Sequence, residues 1–236
     1  MRLEAFFHHK IAMLNIIVPN VCRVCGQSLA KGEELMCLQC ELDLPRTDVH
    51  LNAFNEVHKR LGHKCSVWKA AGWFYYLRHS AYAQMLVDSK YAGQPSVDFK
   101  LGAKCAIELA PQAFFQDIEF LVPMPMHWTK RWRRGYNQAE RICAGIESVT
   151  GIPTCEALRA KRTHGVQSRL KREQRFASIS GTLGLSKLWP EIAGKHVLFV
   201  DDIITTGASA SEAVRTLWKA SPKSVSVLAL GLTKGE

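Results

Sequence analysis

Short apolar runs alternate along the chain with stretches whose apolar residues fall at helical spacing. Residues 120–122, 196–200 and 225–230 are compact, mainly apolar runs. Between and after them, Ala139, Ile142, Cys143 and Ile146 share one helical face, and Ala213, Val214, Leu217 and Trp218 share another. Residues 67–76 read as one strand or two, and 80–89 as a helix with Tyr82, Met85 and Leu86 on one side. Buried strands alternating with amphipathic helices predict an α/β fold, a parallel sheet covered on both faces. Near the start, Phe6, Phe7, Leu14 and Ile17 line a short helix that Pro19 ends. The polar stretch 47–66, with Asp48, Asn52, Asn55, Glu56, His58 and Gly62, reads as a linker. The expected organisation is an N-terminal helix and small module over 1–46, the linker, and the α/β domain over 67–236. A chain of 236 residues has room for that plan.

Charge and cysteines sharpen this outline. A formal net charge of +10 gives a surface that attracts polyanions: nucleic acid, nucleotide phosphates or anionic lipid. The apolar run 11–18 is shorter than the about 20 residues a bilayer span needs, and no small-residue cleavage site follows it. The chain is therefore expected to be cytoplasmic, with no transmembrane segment. In a reducing compartment, paired cysteines favour metal over disulfides. Cys22 and Cys25 form one C-x-x-C pair and Cys37 and Cys40 a second, so two knuckles can bring four thiolates round one tetrahedral zinc ion. With every position taken by protein, such a site is structural. Cys65, Cys105, Cys143 and Cys155 are scattered and read as small core residues.

The most informative stretch is 197–209, Val-Leu-Phe-Val-Asp-Asp-Ile-Ile-Thr-Thr-Gly-Ala-Ser. A buried strand leads into Asp201 and Asp202, then into a loop of Thr205, Thr206, Gly207, Ala208 and Ser209, where a helix begins. The hydroxyls, the glycine turn and the free N–H groups of the helix start suit a phosphate monoester. Two carboxylates beside a phosphate repel it unless they bind something else, and vicinal ribose hydroxyls answer that by donating to them. A sugar phosphate is thus the ligand these residues call for. The stretch resembles the phosphoribosyl-diphosphate (PRPP) motif of the type I phosphoribosyltransferases. The resemblance implies a Rossmann-like sheet, with the two acids on the ribose hydroxyls and 205–209 on the 5′-phosphate.

Upstream, the segment from Leu121 to Ala139 begins as a strand, is stopped by Pro123 and Pro125, and then presents Lys130, Arg131, Arg133 and Arg134 among Trp128, Trp132 and Tyr136. A second basic stretch carries Arg159, Lys161, Arg162, Arg169, Lys171, Arg172 and Arg175. Cationic loops near a phosphate cradle can neutralise a diphosphate leaving group. Interleaved aromatic and cationic side chains equally make a single-strand nucleic-acid groove. A solvated basic surface is the third reading.

Val18-Pro19-x-x-Cys22-x-x-Cys25, the Pro-x-Pro followed by Arg134-Gly-Tyr-Asn-Gln138, and Gln167-Ser-Arg-Leu170 resemble the ComF proteins nearly end to end. That resemblance implies a zinc finger joined to a phosphoribosyltransferase domain, and a role in natural competence handling incoming single-stranded DNA in the cytoplasm. It also implies a diphosphate loop at 123–126 and a flexible loop at 163–175. Under it, Lys130, Arg131, Trp132, Arg133, Arg134, Arg169, Lys171 and Arg172 meet DNA, and a helicase-like competence protein is a possible partner. The alternative is an active transferase that moves ribose 5-phosphate from PRPP, with magnesium, to an unknown nitrogen nucleophile. Asp201 and Asp202 would then hold the ribose, and Arg134 or Lys161 would stabilise the diphosphate. A third reading is an adaptor that docks its partner through the finger.

Overall fold

The structure, a computed structural model, describes residues 20–62, 65–91, 94–161 and 181–234. The expected N-terminal helix and the basic residues Arg162, Arg169, Lys171, Arg172 and Arg175 lie outside those residues. The chain divides into two compact units, Met1–Leu44 and Pro45–Glu236.

In the first unit, Val21 bridges Ser28 antiparallel. The turn between them is closed by Gly26 N–H donating to the Cys22 carbonyl at 2.9 Å. Gly26 has φ +77°, a left-handed position that favours a residue without Cβ. Helix α1, Leu38–Leu42, follows with Cys37 as its N-cap residue, and its start is tied down by Glu33, whose carboxylate accepts from Leu38 and Ala30 N–H.

The second unit holds a four-stranded sheet with β1 (Ala70–Tyr76), β2 (Phe120–Pro123), β5 (His196–Ile204) and β6 (Ser224–Thr233) in the order β1-β6-β5-β2. Every pairing is parallel, which bears out the predicted fold class. Strands β3 (Leu158–Ala160) and β4 (Leu183–Leu185) pair antiparallel in a separate two-stranded sheet. Among the described residues of this unit the α-helices are α2 (Glu56–Leu61), α3 (Ala81–Tyr91), α4 (Pro95–Leu109), α5 (Trp128–Arg134), α6 (Gln138–Thr150) and α7 (Ala208–Trp218). Among the described residues no helix is long and apolar enough to cross a membrane.

Alternation along the strands builds two cores. Val197 and Phe199 join Val214 and Leu217 of α7 and Val57 and Leu61 of α2 in one buried cluster. Leu198, Val200 and Leu121 are fully buried outside that cluster, on the side where α6 packs on β2 and β5. Helices α4 and α6 meet through reciprocal glycines. A Cβ on Gly102 would lie 2.2 Å from the Ile142 carbonyl oxygen, and one on Gly145 would lie 2.0 Å from that of Phe99. Backbones this close exclude any larger residue at either position.

Two features differ from the sequence expectations. The stretch 47–66 was expected to be a linker, but it contains a 3-10 turn at Val49–Leu51 and helix α2. Its polar residues are used inside the fold. The Asn55 side chain caps α2 by accepting from Val57 N–H and donates to the Ala70 carbonyl of β1 at 2.8 Å. Strand β5 also runs past Val200 through both aspartates to Ile204, with Asp201 opposite Ala229.

Candidate functional site

Strand β2 stops at Pro123, so beyond Met124, whose N–H still donates to the Val200 carbonyl at 2.8 Å, one side of β5 is left without a neighbouring strand. From β2 the chain reaches α6 on one face, and from β5 it passes to α7 on the other. Connections that part in this way leave a crevice at the carboxyl edge of the sheet. Asp201 and Asp202 stand at that edge, half-buried. Their carboxylates accept from the next backbone N–H groups, Asp202 N–H to Asp201 Oδ1 at 2.9 Å and Ile203 N–H to Asp202 Oδ1 at 2.8 Å.

Two cavities flank the acids and share Met124, Asp201 and Asp202 in their walls. The first, about 240 Å³, is formed by the loop Thr205–Ser209 and the start of α7. Gly207, the N-cap residue of α7, has φ +80°, and a Cβ there would also meet the Arg60 carbonyl oxygen at 2.7 Å. Only glycine fits both demands. The helix that starts here is eleven residues long, so its first N–H groups and its dipole favour an anion in the loop. Behind the loop, Arg60 of α2 donates to the Thr205 carbonyl at 2.7 Å and to Thr233 Oγ1 at 2.8 Å, anchoring it from outside.

The second cavity, about 230 Å³, lies between the acids and the Pro125–His127 turn, with Lys130 and Arg134 on its wall. Asn137 fixes this side. It caps α6 by accepting from Ala139 N–H at 3.2 Å and donates to the Met124 carbonyl at 3.0 Å, so one side chain ties the turn to the helix start. Arg134 donates to Gln138 Oε1 at 2.5 Å.

Helix α5 sorts the basic cluster that sequence left with competing readings. Lys130 and Arg134, four residues apart, face the cavity. Trp128 and Trp132, also four apart, are 61% and 85% exposed. Arg131 pairs with Glu140 at 2.8 Å, and Arg133 is exposed. Burial pushes the Glu140 carboxyl above the usual range, with Glu156 adding to the rise and Asn137 and Arg131 opposing it. Of the second basic stretch, Arg159 and Lys161 are described. Arg159 donates to the Leu185 carbonyl at 2.9 Å, the Lys161 stem lies over Gly184 of β4, and neither lines a cavity.

In the first unit the four Sγ atoms of Cys22, Cys25, Cys37 and Cys40 lie within 4.8 Å of one another. The Cys25 and Cys37 sulfurs are 3.7 Å apart, close to the ~3.8 Å edge of a tetrahedron with the usual zinc–sulfur distance. Val24 N–H points at Cys22 Sγ at 3.4 Å, the backbone donation that steadies a thiolate. Donor set and geometry fit a tetrahedral metal such as zinc.

Sequence reasoning missed Arg60, Asn137 and Gln138 as builders of the site. The last two stood in the quoted Arg-Gly-Tyr-Asn-Gln segment, but their work is to hold backbone and Arg134 in place, which no motif spacing reveals.

A phosphoribosyl transferase domain model matches residues 133–232. Competence protein F of Haemophilus influenzae is 30% identical over 114 residues, covering 48% of this chain and 49% of that protein, so the chain aligns over about half of that relative's length. The DNA utilization protein YhgH of Escherichia coli K12 is 23% identical over 226 residues, covering 91% of this chain and 98% of that one. Among solved structures, the glutamine PRPP amidotransferase from B. subtilis overlaps with a TM-score of 0.41 at 21% identity, over 61% of this chain and 27% of that one.

Proposed function

We propose that this chain, a ComF-family protein with a phosphoribosyltransferase domain in its second unit, binds PRPP across the two cavities and uses the exposed face of α5 to contact single-stranded DNA. The observation that carries the reading is the shared wall of Met124, Asp201 and Asp202 between the phosphate-type loop and the cationic cavity. A ribose held at the acids sends its 5′-phosphate towards Thr205–Ser209 and its C1 diphosphate towards the Pro125–His127 turn, Lys130 and Arg134. Hydroxyl donors to the acids and cations at the diphosphate match the ligand's pattern of polar groups. Magnesium would arrive on diphosphate and ribose oxygens and supply charge neutralisation there. The zinc fitting the four cysteines would be structural.

A melting scan tests occupancy. At about 100 times its Kd, Mg–PRPP adds about 2.7 kcal/mol, which raises the Tm of a unit of this size by roughly 5–10 °C. Ribose 5-phosphate or diphosphate alone should raise it less. No rise at saturating ligand would remove the ligand assignment. Diphosphate release on adding nucleobases, amines or DNA ends would mark a transferase rather than a binder.

The DNA surface rests on Trp128 and Trp132, which stand off the helix beside Arg133, a stacking face next to positive charge. The relatives named for competence and DNA utilization support a part in handling DNA. Trp128→Ala with Trp132→Ala should weaken binding of a labelled single-stranded oligonucleotide roughly 10–100-fold and leave the Mg–PRPP melting shift intact. Adding Arg133→Glu should also reduce the salt dependence of what remains. Unchanged oligonucleotide affinity would exclude this face.

A further inference from the structure

Asp98 sits on α4 among Val97, Leu101, Cys105 and Leu109, is 0% exposed, and reaches neither cavity. A carboxyl group on the buried face of a helix costs stability unless its neighbours satisfy it. Here they do, and they lead outward to the site. Ser89 Oγ, from α3, lies 2.9 Å from Asp98 Oδ1, and Tyr136 Oη, from the turn before α6, lies 3.1 Å from Asp98 Oδ2. Tyr136 Oη also contacts the Ser89 carbonyl. Gln138 Nε2 donates to Ser89 Oγ at 3.2 Å, and Gln138 Oε1 accepts from Arg134 at 2.5 Å. An unbroken chain of hydrogen bonds therefore runs from the buried acid to a cation on the cavity wall.

We propose that Asp98 is a positioning residue for the cationic cavity, holding Arg134 in place through Ser89 and Gln138 and fixing the preceding turn through Tyr136. The inference rests on the PRPP reading for its ligand but not for its geometry.

Each hydroxyl has one proton and two acceptors in reach. Ser89 Oγ lies between the Leu86 carbonyl at 3.0 Å and Asp98 Oδ1, and Tyr136 Oη lies between the Ser89 carbonyl and Asp98 Oδ2. A proton on Asp98 Oδ2 lets the acid donate to Tyr136 while Tyr136 donates to the Ser89 carbonyl. Burial, and to a lesser degree the negative charge of Asp202, push the carboxyl up to about 6 against the donors Ser89, Tyr136 and Gln138. Burial and the Asp98 charge also raise the Tyr136 hydroxyl, partly offset by Arg134. The groups facing Asp98 are thus Ser89, Tyr136, Gln138 and the charge of Asp202. An anion entering beside Asp202 adds negative charge and disfavours the ionised acid. Ligand binding should therefore take up a proton at Asp98, and affinity should rise as pH falls through about 6.

Two readouts test this. The first is the Kd of Mg–PRPP from pH 5 to 8 in wild type, Asp98→Asn and Tyr136→Phe. The ligand's own phosphate titrates in the same range, so the wild-type profile is read against Asp98→Asn. That variant keeps an acceptor and a donor in the same shape and should lack the extra pH step. Tyr136→Phe should weaken binding about tenfold with the fold retained. The second readout needs no ligand. The Arg134 side-chain NMR signal should shift with pH in wild type, stay flat in Asp98→Asn and move to a new position in Tyr136→Phe. If wild type binds no Mg–PRPP, the ligand reading fails, and the Arg134 signal still decides the positioning role. An Arg134 signal indifferent to pH and to both substitutions, or identical pH profiles for wild type and Asp98→Asn, overturns the inference.

Discussion

Cys22→Ser combined with Cys37→Ser, or stripping with a strong chelator, is expected to unfold the described part of the unit Met1–Leu44 while the unit Pro45–Glu236 keeps its own melting transition. Besides the cysteines, the buried apolar side chains of the first unit among the described residues are Leu35, Met36 and Leu44. Three side chains do not make a core that holds the described residues 20–44, and chains of that size depend on a staple. A structural zinc in a finger contributes about 10–16 kcal/mol of apparent binding energy, as much as a whole domain's stability. The two units can be followed separately because all six tryptophans lie beyond residue 45. Tryptophan fluorescence reports the second unit, while amide exchange over 20–44 and metal content by atomic emission report the first. Wild type should carry one equivalent of metal and protect those amides, and the double variant should do neither. Metal-free wild type with protected amides would show that the thiols fold the knuckles alone.

Gly145→Val is the other large effect expected, this time in the second unit. The Cβ would lie 2.0 Å from the Phe99 carbonyl oxygen, and the obstacle is backbone, which cannot turn aside like a side chain. Helices α4 and α6 must separate, which opens the core on both sides of the contact. A loss of about 3 kcal/mol or more follows, at or beyond the usual upper cost of overpacking. The consequence reaches the site, because the first turn of α6 carries Asn137's hold on Met124 and Gln138's hold on Arg134. A urea midpoint within error of wild type would contradict the packing described. A lowered midpoint with a weakened Mg–PRPP response is the expected pair of results.

The parts of the fold that could be read from the chain are those whose chemistry is local. The apolar runs of β2, β5 and β6 and the faces of α6 and α7 follow from side chains a few residues apart. The 197–209 loop was legible because each of its demands, a turn, hydroxyls and carboxylates, is met by neighbours in sequence. Helix α4 escaped because its buried face includes Asp98 and Gly102, residues that look like breaks in an apolar stripe until Tyr136 and Ile142 arrive from elsewhere. The stretch 47–66 looked like a linker because its polar residues appeared meant for water, whereas Asn55 spends its amide on α2 and β1. Arg60 stands 145 residues before Thr205, whose carbonyl it holds, and no spacing rule connects them. The basic segment of α5 was legible in composition only. Which cations face the cavity depends on the helix's rotation, which separates Lys130 and Arg134 from Trp128 and Trp132.

The central claim is that Asp201 and Asp202 bind a ribose between two phosphate-binding cavities, and calorimetric titration of Mg–PRPP into wild type and Asp201→Asn/Asp202→Asn tests it directly. If each acid accepts from sugar hydroxyls, the double variant should bind roughly 100-fold or more weakly. Its tryptophan fluorescence and metal content should match wild type, which would tie the loss to the site. Saturable heat in wild type that disappears in the variant is the predicted result. A well-folded, metal-loaded wild type that gives no heat, or a double variant that binds as well as wild type, would contradict the account.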